Sequence, residues 1–294
     1  MNRLHDFVLD TRLGRLAGLR SAPAGRAVPR VLALHGWLDN AASFIPLHPY
    51  LPGIELVALD MPGHGASDHF PEAAEYTVVS TARSVFAAAD ALGWDEFSLL
   101  GHSLGGAVAS LMAAAAPQRI QRLGTIEALG ALSAEQGRHV ESLREAFARP
   151  GSPRKPLRVF PDPAAAVRAR LQAGDIQADA ARLLVERGLV PVRGEGGPRG
   201  FSWRSDPRLT RPTAIRISEE QVRELLRAVE CPVRVLYAEP AQVYFPEEQR
   251  RARFDCLRDA QLSTMPGAIT CTWSSPPRWQ RCSRTFSARS DHRA

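Results

Sequence analysis

The chain of 294 residues has only four cysteines, Cys231, Cys256, Cys271 and Cys282, and their spacing matches neither a metal-ligand set nor a secreted disulfide framework. They read as unpaired thiols. No apolar run approaches the roughly 18 residues that a membrane-spanning helix needs. Met1-Asn-Arg-Leu-His-Asp passes straight into strand-like alternation, without the apolar stretch of a secretion signal. The expectation is a chain with no membrane span, working in the cytoplasm. Nothing resembles a nucleic-acid module, although the formal charge is +6. Four of those six charges come from residues 267–294, where Arg278, Arg281, Arg284, Arg289 and Arg293 face Asp291 alone. A scattered arginine tail on a nearly neutral remainder is a solvated end, not a binding surface. The same segment has no Leu, Val or Met, and so lacks the apolar stripe with which a closing helix packs on a sheet.

What is present is a balance of 45% hydrophobic and 23% charged residues, enough for one large core carrying an insertion. Phe7-Val-Leu-Asp and Arg15-Leu-Ala-Gly-Leu-Arg flank a glycine-containing turn and read as an opening hairpin. Val31-Leu-Ala-Leu, Glu55-Leu-Val-Ala-Leu, Phe97-Ser-Leu-Leu and Leu123-Gly-Thr-Ile are short, nearly continuous apolar runs, as strands buried on both faces require. Alanine-rich helical stretches at Ser80–Leu92 and Leu104–Ala115 separate them, and strand alternating with helix implies a parallel sheet. From Ala131 to Arg216 the rhythm stops and Arg, Pro, Gly and Ala dominate, with a helical island at Ala178–Gly188. It resumes with the capping-box sequence Ser218-Glu-Glu-Gln and the strand Val233-Arg-Val-Leu-Tyr. A helix near Phe245–Leu257 and a strand near Gln261–Met265 complete the core. The expected division is a core over 1–130, a helical cap over 131–216, a second core part over 217–266, and a tail over 267–294 without structure.

Gly101-His-Ser-Leu-Gly-Gly lies between a strand and a helix, which puts Ser103 on a sharp turn. Small residues on either side let the chain turn tightly enough to expose the hydroxyl, and the helix N-terminus aims amides at developing negative charge. This arrangement is a nucleophile elbow. His35-Gly-Trp-Leu-Asp-Asn follows another strand, and Asp60-Met-Pro-Gly-His-Gly-Ala-Ser forms a glycine-rich turn after a third. His35 and His64 read as residues that fix these loops and not as proton carriers.

With three motifs in this order, the chain resembles the α/β-hydrolase superfamily over about residues 7–265. It is closest to the serine-hydrolase-like branch, through Trp203-Arg-Ser-Asp-Pro-Arg-Leu and Ile126-Glu-Ala-Leu-Gly. The resemblance implies a mostly parallel sheet of about eight strands flanked by helices. It also implies esterase-like chemistry on a small-molecule acyl substrate without metal or organic cofactor, and an oxyanion hole made by the Trp37 and Leu104 amides. Serine at the elbow argues against haloalkane dehalogenase and epoxide hydrolase mechanisms, which place aspartate there. The Arg–Asp pattern of residues 203–209 reads as a staple between cap and core. Glu127 is the first choice for the triad acid, a position used by dehalogenase-like members, and Glu239 the second.

The base is missing. Triad order in this fold is serine, acid, histidine, yet six of the eight histidines precede Ser103, leaving only His139 and His292. Where the histidine belongs, after Gly267, the chain reads Ala268-Ile-Thr-Cys-Thr-Trp. Shifting the codon frame by one base, with C at each free third position, turns residues 268–273 into His-His-Leu-His-Leu. We read this as a single-base slip near Gly267. The rival is a noncatalytic, vestigial binding protein that keeps the pocket and has lost the base.

Overall fold

Apolar runs too short for helices become strands whose two faces are both covered. The computed structural model describes residues 3–22, 28–135, 137–148, 157–174, 176–194 and 197–266, so the anomalous tail lies outside the described residues. The opening hairpin, β1 (His5–Thr11) and β2 (Gly14–Arg20), pairs antiparallel with Thr11 opposite Gly14. It is followed by β3 (Arg30–Leu34), β4 (Glu55–Leu59), β5 (Phe97–His102) and β6 (Ile120–Ile126). After the insertion come β9 (Val233–Glu239) and β10 (Ala260–Pro266). These eight strands form one sheet in the order β1-β2-β4-β3-β5-β6-β9-β10, parallel from β4 onward, and β2 joins it antiparallel to β4.

Alternation within strands sorts side chains onto two cores. Leu32, Leu34, Leu99, Leu123 and Val235 point to the face covered by α1 (Val78–Ala91), α2 (Leu104–Ala115) and α6 (Glu219–Arg227). Val31, Ala33, Leu100, Ile126 and Leu236 point to the other face, with Phe44 and Leu47. α2 is alanine-rich because it is squeezed against the sheet: Val108, Ala109 and Met112 have no exposed surface. Truncating Met112 to alanine in such packing costs about 2–5 kcal/mol. α6 starts with the capping box expected at Ser218, whose hydroxyl accepts from Gln221 N–H while the Gln221 side chain accepts from Ser218 N–H. α7 (Glu247–Phe254) precedes β10.

Between β6 and α6 the chain leaves the sheet and forms α3 (His139–Phe147), α4 (Pro163–Ala173) and α5 (Ala178–Gly188). A two-stranded hairpin, β7 (Leu189–Gly194) with β8 (Gly197–Trp203), then follows. The sequence indicated helices here; the hairpin is an addition to that reading. Among the described residues no helix is long and apolar enough to cross a membrane.

Candidate active site

The carboxyl ends of the parallel strands place the three motif loops side by side. Ser103 stands between β5 and α2 with φ 49 and ψ −115, a backbone conformation that a non-glycine residue holds only under constraint. The constraint is visible on both sides. Ser103 N–H donates to the Ile126 carbonyl (2.9 Å), and the Ser103 carbonyl accepts from Gly106 and Ala107 N–H. Two glycines permit the close approach: a β-carbon at Gly105 would lie 2.0 Å from the Leu34 oxygen, and one at Gly101 would lie 2.4 Å from the Gly105 oxygen. Ser103 is left half-buried, not turned into the core.

The loop after β3 packs directly on this elbow. Gly105 N–H donates to the His35 carbonyl (3.0 Å), and Gly36 abuts the His102 ring so closely that an added β-carbon would meet Nδ1 at 2.9 Å. Beyond Gly36 the loop turns sharply, with Asp39 N–H donating to the Gly36 carbonyl and Leu38 at φ 59. Among the described residues neither the Trp37 nor the Leu104 backbone N–H has a hydrogen-bond partner.

His35 and His64 hold the loops beneath. His35 Nε2 accepts from Met61 N–H (3.0 Å), so its proton sits on Nδ1, which donates to the Gly36 carbonyl (2.7 Å). His64 Nδ1 donates to Pro62 O, and its ring stands edge-on to His35 at 4.9 Å. Burial pushes the imidazoles of His35, His64 and His102 below the usual histidine range. Asp60 is the anchor of this layer. Fully buried, it accepts from Ala41 N–H (2.7 Å), Ala66 N–H (2.9 Å) and the Arg187 guanidinium of α5 (2.8 Å).

Glu127 directly follows β6 with φ 55, so a second constrained residue faces the same edge of the sheet. Its carboxylate accepts from Ala238 N–H on one oxygen and from Arg250 of α7 (3.1 Å) on the other, and both side chains of the pair are 1% exposed. Burial pushes the Glu127 carboxyl upward, with the Ala238 amide and Arg250 pulling the other way. Arg250 is itself held by the Phe245 and Ala238 carbonyls and stacks on Tyr237 at 4.5 Å. Glu239, the second candidate acid, is exposed at the end of β9. His139 is exposed at the start of α3, and His292 lies outside the described residues.

The insertion is fastened to these loops. Trp37 Nε1 donates to the Leu209 carbonyl (3.1 Å), Asn40 Nδ2 donates to Leu184 O (2.9 Å), and Arg170 of α4 donates to Asp39. Asp206 accepts from Tyr76 (2.9 Å) and from Arg208, whose guanidinium also reaches the carbonyls of Phe70 and Pro71. This is the staple read from residues 203–209. Sequence reasoning missed Arg170, Arg187 and Arg250, whose partners lie more than 100 positions away.

A protein family described by the α/β hydrolase fold matches residues 29–194, more than half of the chain. This chain belongs to the α/β-hydrolase family. The α/β-hydrolase is 31% identical to a serine hydrolase-like protein of Dictyostelium discoideum over 81% of this chain and 69% of the relative. A serine hydrolase-like protein of Danio rerio is also 31% identical, over 79% of this chain and 71% of the relative. The crystal structure of a hypothetical protein from Pseudomonas aeruginosa PAO1 superposes on this α/β-hydrolase with TM-score 0.86 at 37% identity, covering 96% of this chain and 97% of that one. A thioesterase domain from the curacin biosynthetic pathway superposes with TM-score 0.81, covering 97% of this chain and 100% of that one; at 20% identity it shows the fold alone.

Proposed function

We propose that this α/β-hydrolase cleaves a carboxylic ester or related acyl bond through an acyl-enzyme on Ser103. The observation that carries the reading is the constrained, half-buried serine at the head of α2, with two main-chain donors at the same end of the sheet that have no partner among the described residues. The Ser103 oxygen attacks the carbonyl carbon, and the Trp37 and Leu104 amides take the resulting oxyanion. Each such donor contributes about 3–4 kcal/mol to the transition state. An imidazole accepts the serine proton and passes it to the leaving alcohol; water then releases the acyl group by the same route. Glu127, buried and constrained at the end of β6, orients that imidazole through the lone pairs that Ala238 and Arg250 leave open. The segment Ala131–Arg216 acts as a cap over a small-molecule acyl substrate.

The histidine belongs to the shifted frame after Gly267. The chain as written offers no histidine there, and that observation favours the noncatalytic rival. Sequencing the gene across codons 260–294 decides between frames. Labelling by a fluorophosphonate probe and turnover of p-nitrophenyl esters, both lost in Ser103→Ala, are expected of the frame that carries the histidine. A verified histidine-bearing protein that neither labels nor turns over esters overturns the hydrolase reading.

A further inference from the structure

A cavity of about 270 Å³ separates the loop Leu38–Asn40 from the insertion. Its floor begins one residue past Trp37, and Asp39 in that floor stands 3.9 Å from the ring of His102, the neighbour of Ser103. Phe160 and Trp203 supply an aromatic wall, edge to face at 5.4 Å. The charged side chains of the lining are Arg158, Arg170 and Asp39, an excess of one positive charge among the described residues. Arg170 spends one N–H on Asp39 and is 26% exposed. Arg158 sits over the Phe160 ring, its Cζ 5.0 Å from the ring centroid, and has no ion-pair partner among the described residues. A guanidinium stacked on an aromatic face keeps its edge donors free for a carboxylate.

We propose that this cavity receives the non-reacting end of the substrate, and that this end carries a carboxylate, so that the substrate class is a short half-ester of a dicarboxylic acid. The chemistry rests on the serine-hydrolase reading; the recognition does not. A neutral acyl tail leaves the extra positive charge unmatched, whereas a monoanion of this size places its apolar stem on Phe160 and Trp203 and its carboxylate at Arg158.

The test is calorimetric titration of the full chain carrying Ser103→Ala, which removes turnover, with monomethyl adipate and methyl hexanoate. The two probes share the ester head and chain length and differ in the terminal charge. Monomethyl adipate is expected to bind at least tenfold more tightly, and Arg158→Gln in the same background to reduce that preference to threefold or less. Arg158 is exposed, so this variant folds, which circular dichroism checks. Equal binding of the two probes, no binding of either, or a preference that survives Arg158→Gln overturns the proposal. A charge-dependent preference in a protein whose Ser103 form turns over no ester leaves the recognition standing and removes the hydrolase reading instead.

Discussion

Arg170 of α4 donates a hydrogen bond to Asp39, and the second oxygen of that carboxylate faces the His102 ring, so a side chain of the insertion reaches the residue before Ser103 through a single carboxylate. Asp39 also closes the turn that presents Trp37.

The pair therefore positions the loop. Arg170→Ala leaves a nearly buried carboxylate unpaired and is expected to cost about 1–3 kcal/mol, between the values for exposed and fully buried pairs. Amide hydrogen exchange of residues 37–40 should accelerate at least tenfold, and in the active frame kcat towards an uncharged ester such as methyl hexanoate should fall about tenfold with KM within twofold. Arg170→Lys should restore most of the loss. Exchange indistinguishable from wild type refutes the positioning role.

Strain at the elbow separates stability from chemistry. Ser103→Gly relaxes φ 49 and is expected to raise the unfolding free energy by about 1 kcal/mol while abolishing ester turnover. Ser103→Ala abolishes turnover without that gain. Urea unfolding of the two variants checks this, and equal stabilities argue against a constrained serine.

The buried Glu127–Arg250 pair makes a different prediction. Glu127→Ala leaves Arg250 charged and unmatched in the core, at a cost of about 3–5 kcal/mol. The double variant Glu127→Leu with Arg250→Met is expected to be more stable than Glu127→Ala alone, since it buries no charge. A double-mutant cycle by chemical unfolding measures the difference.

Burial lowers His35, His64 and His102 below their unfolded value of 6.5, so between the two values the unfolded chain binds more protons. Their contribution is present above about pH 6.5 and is lost as pH falls. Unfolding free energy should be nearly level from about pH 8 to 7 and should drop by more than 1 kcal/mol by about pH 5.5, before most carboxylates titrate. His64→Asn should flatten the slope by up to one proton. A level profile down to pH 5.5 contradicts this account.

How much of this was legible in the sequence follows from the range of each interaction. The elbow could be read because its turn, strand and helix occupy consecutive residues, and α2 and α5 kept the bounds that their sequence patterns suggested. The staple of Asp206 and Arg208 was named from the resemblance of residues 203–209; its core partners Tyr76, Phe70 and Pro71 lie 130 or more positions away and had no local signature. The β7–β8 hairpin was not, because Pro191, Gly194 and Gly200 interrupt any period of two along it. The partners of Arg170, Arg187 and Arg250 were invisible, since each ion pair closes only after the sheet has assembled. The candidate acid was named from its place at a strand end; that Arg250 already holds it had no local signature.

Because α4, α5 and the turn at Leu209 each hold a different residue of the loop Trp37–Asn40, the insertion is not a detachable module. Grafting another insert onto this core, however well it shaped a new pocket, would dismantle the scaffold of this loop unless it brought a guanidinium and two carbonyls to the same three points.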